Sequence, residues 1–121
     1  MKITVVNRSK QTLVVKHLSI ARSFFRRLKG LLGTNHLPQG EGLLIQPCNS
    51  VHSFFMRYPI DVLFLDSSSV VVKVVENMTA GRVAVARASS AVLEVPAGTV
   101  ASTKSKIGDQ LHIINGDIMK K

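Results

Sequence analysis

The chain has 121 residues, 45% of them hydrophobic, and sixteen Lys and Arg against seven Asp and Glu give a formal charge of +9. That length is one ordinary domain, residues 1–121, with enough core to stand without a disulfide or a metal, and the apolar fraction excludes a disordered chain. No apolar run approaches the roughly 20 residues of a membrane-spanning helix. No secretory leader follows the start MKITVVNRSKQT, and the single Cys48 can close no internal disulfide, so the chain reads as cytoplasmic with no membrane contact.

The first elements are strands. ITVV (3–6) and TLVVKHL (12–18) flank the polar turn NRSKQ and predict a hairpin. Strand alternation over 12–18 puts Leu13, Val15 and His17 on one face, with Thr12, Val14, Lys16 and Leu18 on the other. The period then changes. SIARSFFRRLKGLLG (19–33) sets Ala21, Phe24, Phe25, Leu28, Leu31 and Leu32 on one arc at helical spacing, with Arg22, Arg26, Arg27 and Lys29 opposite. Ser19 fits an N-cap, and Gly30 and Gly33 fit C-terminal stops. An amphipathic helix near residues 20–30 is expected, packed on a sheet.

Short strands follow at intervals of roughly 8 to 12 residues, each bounded by turn residues. They are GLLIQP (42–47), VHSFFM (51–56), DVLFLD (61–66), VVVKVVE (70–76), VAVARA (83–88), AVLEV (91–95) and QLHII (110–114). SSS (67–69) reads as a tight connection. This spacing predicts a mainly β fold, a compact antiparallel sandwich or barrel of jelly-roll type carrying the one helix.

The stretch CNSVHSFFMRYPIDVLFLD (48–66) mixes bulky apolar residues with the only cysteine, a histidine, an arginine and two aspartates. Two strands joined at Arg57-Tyr58-Pro59 would return Asp61 to the end of the first strand, where Arg57 and Asp61 form a charge-assisted pair. Cys48 and His52 have the residue types of a nucleophile and its base, with Asp61 to orient the ring. Four extended residues span roughly 13 Å, so that pair meets only if Asn49 and Ser50 turn the chain. A packed thiol is the commoner fate of such a cysteine. Glu94 interrupts the apolar run AVLEVP, either on the solvated face of an edge strand, which alternation favours, or paired with a base. Cys48, His17, His36, His52 and His112 show no close pair at zinc-type spacing. No glycine-rich phosphate loop opens a helix. No metal and no cofactor are expected.

CNSVHSFFMRYPIDVLFLD, VLEVPAG (92–98) and IGDQL (107–111), in that order, resemble the bacterial and archaeal family called domain of unknown function 192. The upstream GLLG and GLLIQP resemble its N-terminal half, so the likeness runs from about Ala21 to Leu111. The resemblance implies a compact β-rich fold and implies no activity. It makes Asp61, Glu94, Gly98 and Asp109 the carriers of any chemistry that the family shares.

The reading favoured by these residues is a binding module for a small molecule or peptide, its polar pocket formed by His52, Arg57, Asp61 and Glu94 at the 48–61 corner. An enzyme using Cys48, His52 and Asp61 is the first alternative. The second is a nucleic-acid binder gripping phosphates through Arg22, Arg26, Arg27 and Lys29, disfavoured because only 5% of residues are aromatic and stacking platforms are scarce.

Overall fold

A computed structural model describes residues 2–21, 37–53 and 56–116. The helix expected near 20–30, with Phe24, Leu28 and the four basic residues, lies outside the described residues. The strands are β1 (Ile3–Asn7), β2 (Thr12–Val15), β3 (His17–Ala21), β4 (Glu41–Ile45) and β5 (Ser50–His52), then β6 (Ile60–Leu65), β7 (Val71–Met78), β8 (Val83–Val85) and β9 (Ala91–Pro96). A short helix, α1 (Thr99–Thr103), precedes the last strand, β10 (Leu111–Asn115). The protein is mainly β, as the strand spacing predicts.

The described strands form three open sheets and no closed barrel: β10-β1-β2, β3-β4-β9-β6-β7, and the pair β5-β8. All described pairings are antiparallel except β3 with β4. The five-stranded sheet is the middle layer. On one face Leu44, Leu63, Leu65, Leu93 and Val95 pack with Val5, Val15 and Leu111 of the three-stranded sheet. On the other, Val62, Phe64 and Val92 pack with Val51 of β5 and Ala84 of β8. Strands β6 and β9 are buried along their whole length, covered on both sides. Near-continuous apolar sequence is what two-sided burial demands.

Three expectations change. The segment 12–18 is not one strand. Lys16 N and His17 N both donate to the Gly40 carbonyl, at 2.7 and 2.9 Å, and that corner sends β2 into one sheet and β3 into another. Val14 and Val15 are consequently both buried, and simple alternation fails. The same corner leaves little room at Gly42, where a Cβ would stand 2.8 Å from Val15 Cγ2. Ser19 is no N-cap, because β3 continues through it to Ala21.

The third change concerns 51–66, which is not a hairpin. Strand β5 is only three residues long and pairs with β8, while β6 pairs with β7 and β9. Ser53 leaves the strand because the 79–82 turn meets its polar groups. Its N–H donates to the Arg82 carbonyl at 2.9 Å, its hydroxyl donates to Thr79 O, and Arg82 N donates to that hydroxyl at 3.0 Å.

The helix α1 was not anticipated. Its sequence, TVAST, is rich in β-branched residues with weak helix propensity. Its first turn is held by a carboxylate from a distant strand.

Candidate functional site

Asp61 and Glu94 sit on adjacent strands, 1% and 2% exposed. Asp61 pairs with Val95 and Glu94 with Val62, one residue out of phase. Paired residues in a ladder share a face and successive residues alternate, so the two carboxylates stand on opposite faces of the sheet. One pocket cannot hold both.

Asp61 faces the side that carries α1. Two residues of β7, Glu76 and Asn77, oppose Asp61 alone between the pairs Ile60–Met78 and Val62–Val75, which is a β-bulge. The bulge takes the Asn77 N–H out of the ladder, and Asp61 Oδ1 accepts it at 2.8 Å. Asp61 Oδ2 accepts the Gly98 and Val100 N–H groups, at 3.1 and 2.9 Å, at the start of α1. Gly98 is the N-cap residue, left-handed at φ 94, and provides no side-chain cap of its own. A strand aspartate thus does the work of a cap residue. Asp61 is a bracing residue, but it braces β7 and α1 and not the 57–61 bend.

Glu94 does not lie on a solvated face. It is central because β9 is the middle strand of five, between Leu43 of β4 and Val62 of β6. On its face Ala21, Leu43 and Ile45 form a small buried cluster, and Cys48 and Met56 pack against both that cluster and the one around Phe64. Cys48 therefore borders the Glu94 face. Its thiol donates to the Ser50 carbonyl at 3.0 Å, a backbone contact within its own turn. Val51 points into the cluster that Cys48 joins, so alternation turns His52 to the other side of β5. An open hollow of about 370 Å3 lies at Cys48, lined by Pro47, Cys48, Asn49, Ser89 and Ser90. Ser89 is structural there, its hydroxyl within reach of the Cys48, Leu65 and Ala91 carbonyls. Arg57 is exposed beyond Met56.

Asp109 and Gly98, the other positions implicated by the shared motifs, both lie near α1. Asp109 is 6% exposed. It accepts from Lys10 Nζ at 2.7 and 2.9 Å, from Asn7 Nδ2 at 2.9 Å and from Lys106 N at 2.9 Å. Burial pushes its carboxyl up, but the Lys10 and Asn7 hydrogen bonds, the Lys106 N–H and the Lys10 charge outweigh that and hold it below the usual carboxylate value. Asn7 also donates to Ser105 Oγ at 3.1 Å, tying β1 to the loop after α1. The sequence reading missed this network. The signal available was Asn7 itself, an amide at the end of an apolar strand.

Among the described residues no cluster of His, Cys, Asp and Glu is arranged to hold a metal ion, and no helix is long and apolar enough to cross a membrane. The layered sheets and one short described helix are those of a small, mainly β protein. The chain belongs to the DUF192 family, described as uncharacterized ACR, whose model matches residues 4–113. It is 34% identical over 113 residues to a UPF0127 protein of Pyrococcus horikoshii, covering 88% of this chain and 96% of that protein. A UPF0127 protein of Thermococcus sibiricus is 31% identical over 113 residues, covering 88% and 72%. Two crystal structures share the fold. A protein of unknown function from Novosphingobium aromaticivorans has a TM-score of 0.76 at 23% identity, over 91% of this chain and 82% of that one. A putative transcription regulator from Sinorhizobium meliloti has a TM-score of 0.75 at 22% identity, over 91% and 90%.

Proposed function

We propose that this protein is a small binding module, that its site lies on the Glu94 face where Cys48 and Met56 border it, and that it takes a small molecule or peptide bearing a cationic or hydrogen-bond-donating group. The observation that carries this reading is the position of Glu94. A carboxylate 2% exposed, flanked in both ladders by Leu43 and Val62, occupies the middle of a sheet that an aliphatic residue would fill. Burying an ionised carboxylate costs several kcal/mol unless charge or hydrogen bonds offset it, and even a well-paired one is often no more stabilising than an apolar replacement. Stability alone is therefore a poor reason for a glutamate here, and recognition of a complementary group is a better one.

The hollow at Pro47–Asn49 and Ser89–Ser90 is of small-ligand size and gives this border an opening with polar groups on it. His52 and Arg57, on either side of the Ser53–Met56 segment, are the rim candidates. Asp61 is withdrawn from the pocket, since it faces the other way and its oxygens hold three backbone amides.

A thermal-shift panel of small amines, amides and short peptides tests the reading. Compounds that raise the Tm of the native protein and lose that effect in Glu94→Gln support it. A panel whose every hit acts equally on both proteins sinks it.

A further inference from the structure

A second concavity lies on the opposite side of the five-stranded sheet from Glu94. It is a cleft of about 450 Å3 whose walls include Lys10, Lys104, Lys106, Glu76, Val100 and Ala101. Val100 packs with Leu63 and Leu93, which places the cleft on the Asp61 side. Three lysines and one glutamate are among its lining residues. Lys104 and Lys106 are exposed, and Lys10 is half-buried.

The lysines are held in place by the fold. Lys10 Nζ is fixed by the Asp109 carboxylate at 2.7 and 2.9 Å. Those two bonds use two of its three donors and leave one for a ligand. Asp109 is itself pinned by Asn7 and by the Lys106 N–H, so the lysine-bearing loop is anchored at its base. Lys104 ends α1 in the left-handed conformation, φ 58, donating its N–H to the Ala101 carbonyl at 3.2 Å. Ser105 N donates to the Val100 carbonyl at 3.1 Å, and the Ser105 hydroxyl meets Thr103 Oγ1 at 2.8 Å. A buried polar network therefore supports a short loop that directs two lysines outward beside a third. Pre-ordering of this kind reduces the entropy lost when a ligand binds.

We propose that this cleft is an anion site for a small ligand carrying a phosphate or pyrophosphate group. Convergent ammonium groups supply charge-assisted hydrogen bonds to phosphate oxygens. The volume is that of a small-molecule site. Val100 and Ala101 give the uncharged part of such a ligand an apolar wall. None of the described lining residues is aromatic, so they offer charge and no platform for stacking bases. The Glu94 reading is independent of this one, since the two sites lie on different faces.

Titration with inorganic pyrophosphate, followed by backbone amide NMR shifts, tests the proposal. Lys104→Gln/Lys106→Gln is the informative variant, because both side chains are exposed and their loss leaves the Asn7–Asp109 network in place. The expected result is saturable binding, with shifts concentrated in residues 98–110 and at Lys10. Affinity should fall at least tenfold in the double variant and stay unchanged in Glu94→Gln. Equal affinity in the double variant, shifts scattered over lysines elsewhere, or no binding at millimolar pyrophosphate would each overturn it. So would tight binding of a short DNA duplex that pyrophosphate fails to displace, which would make this face a nucleic-acid surface. A double variant with a Tm within about one degree of the parent excludes misfolding as the cause of lost binding.

Discussion

Asp61 and Glu94 differ in one respect that decides their roles. Both are buried acids on neighbouring central strands, yet one looks toward α1 and the other toward the Cys48 border. Asp61 holds backbone amides from β7 and from the start of α1, so its removal takes the acceptor from the buried Val100 N–H and from the part-buried Asn77 and Gly98 bonds. Glu94 sits between Leu43 and Val62, whose ladder bonds are made by backbone and do not need its side chain. Burial alone does not say what a buried acid does; for Asp61 the three amides it accepts do.

The largest expected effect follows directly. Asp61→Ala should cost about 2 to 4 kcal/mol, because the buried Val100 N–H left without an acceptor carries its full desolvation penalty and two further charge-assisted bonds are lost. Asp61→Asn should recover only part, since its amide offers one acceptor oxygen and adds two donors. Urea unfolding measures both. A loss under about 1 kcal/mol for the alanine variant would show that α1 and the β7 bulge keep their shape without it.

Gly42→Ala comes next and probes the same side of the sheet. The new methyl would meet Val15 Cγ2 at 2.8 Å and stand 3.3 Å from the Glu94 carbonyl, so β4 or Val15 must move. Overpacking of this kind costs about 1 to 3 kcal/mol. The same unfolding experiment checks it, and an alanine tolerated without loss would mean that the β2–β3 corner yields.

The third effect is on pH dependence. The folded Asp109 carboxyl is held below its usual value of 3.8, so at low pH the unfolded chain binds the proton first. Its contribution to stability is fully present above that usual value and is lost as pH falls through the lower folded value. Asp109→Asn should therefore lower stability near neutral pH by about 2 kcal/mol and flatten the curve below about pH 4. Identical slopes for the two proteins would show that the Lys10 and Asn7 contacts do not act on this carboxyl.

Much of this contrast was hidden in the sequence, and for a physical reason. Alternation and turn residues reveal strands because they are local, which is why the segments at 61–66, 70–76, 91–95 and 110–114 match β6, β7, β9 and β10 closely. Strand order is not local. Nothing in AVLEVP says that β9 is the middle strand, so Glu94 looked like a solvent-facing residue until β4 and β6 were seen on either side of it. The same limit concealed the β5–β8 pairing and the corner at Lys16, which depends on the Gly40 carbonyl. It also concealed α1, whose cap comes from a residue 39 positions away. The resemblance pointed to Asp61, Glu94, Gly98 and Asp109, but not to the face each one serves.

Glu94→Gln should be mild beside Asp61→Asn. Glutamine keeps the shape and one acceptor, and the backbone bonds of Leu43 and Val62 persist, so a cost below about 2 kcal/mol is expected. A larger cost than that of Asp61→Asn would reverse the comparison and make Glu94 the structural acid.

The smallest effect is expected at the Cys48 border. Cys48 packs against two apolar clusters, and its thiol donates to the Ser50 carbonyl within its own turn. Val51 faces the cluster that Cys48 joins, which turns His52 to the far side of β5. An imidazole so placed is in a poor position to take the thiol proton, and a cysteine becomes a strong nucleophile near neutral pH when a base or cation lies within reach. Alkylation of the folded protein at neutral pH should therefore be slow, and His52→Ala should leave its rate unchanged. A rate that is high at neutral pH and collapses on loss of His52 would instead make the pair a nucleophile and its base. Ligand binding at the Glu94 face should slow alkylation, because the thiol lines the hollow at that border.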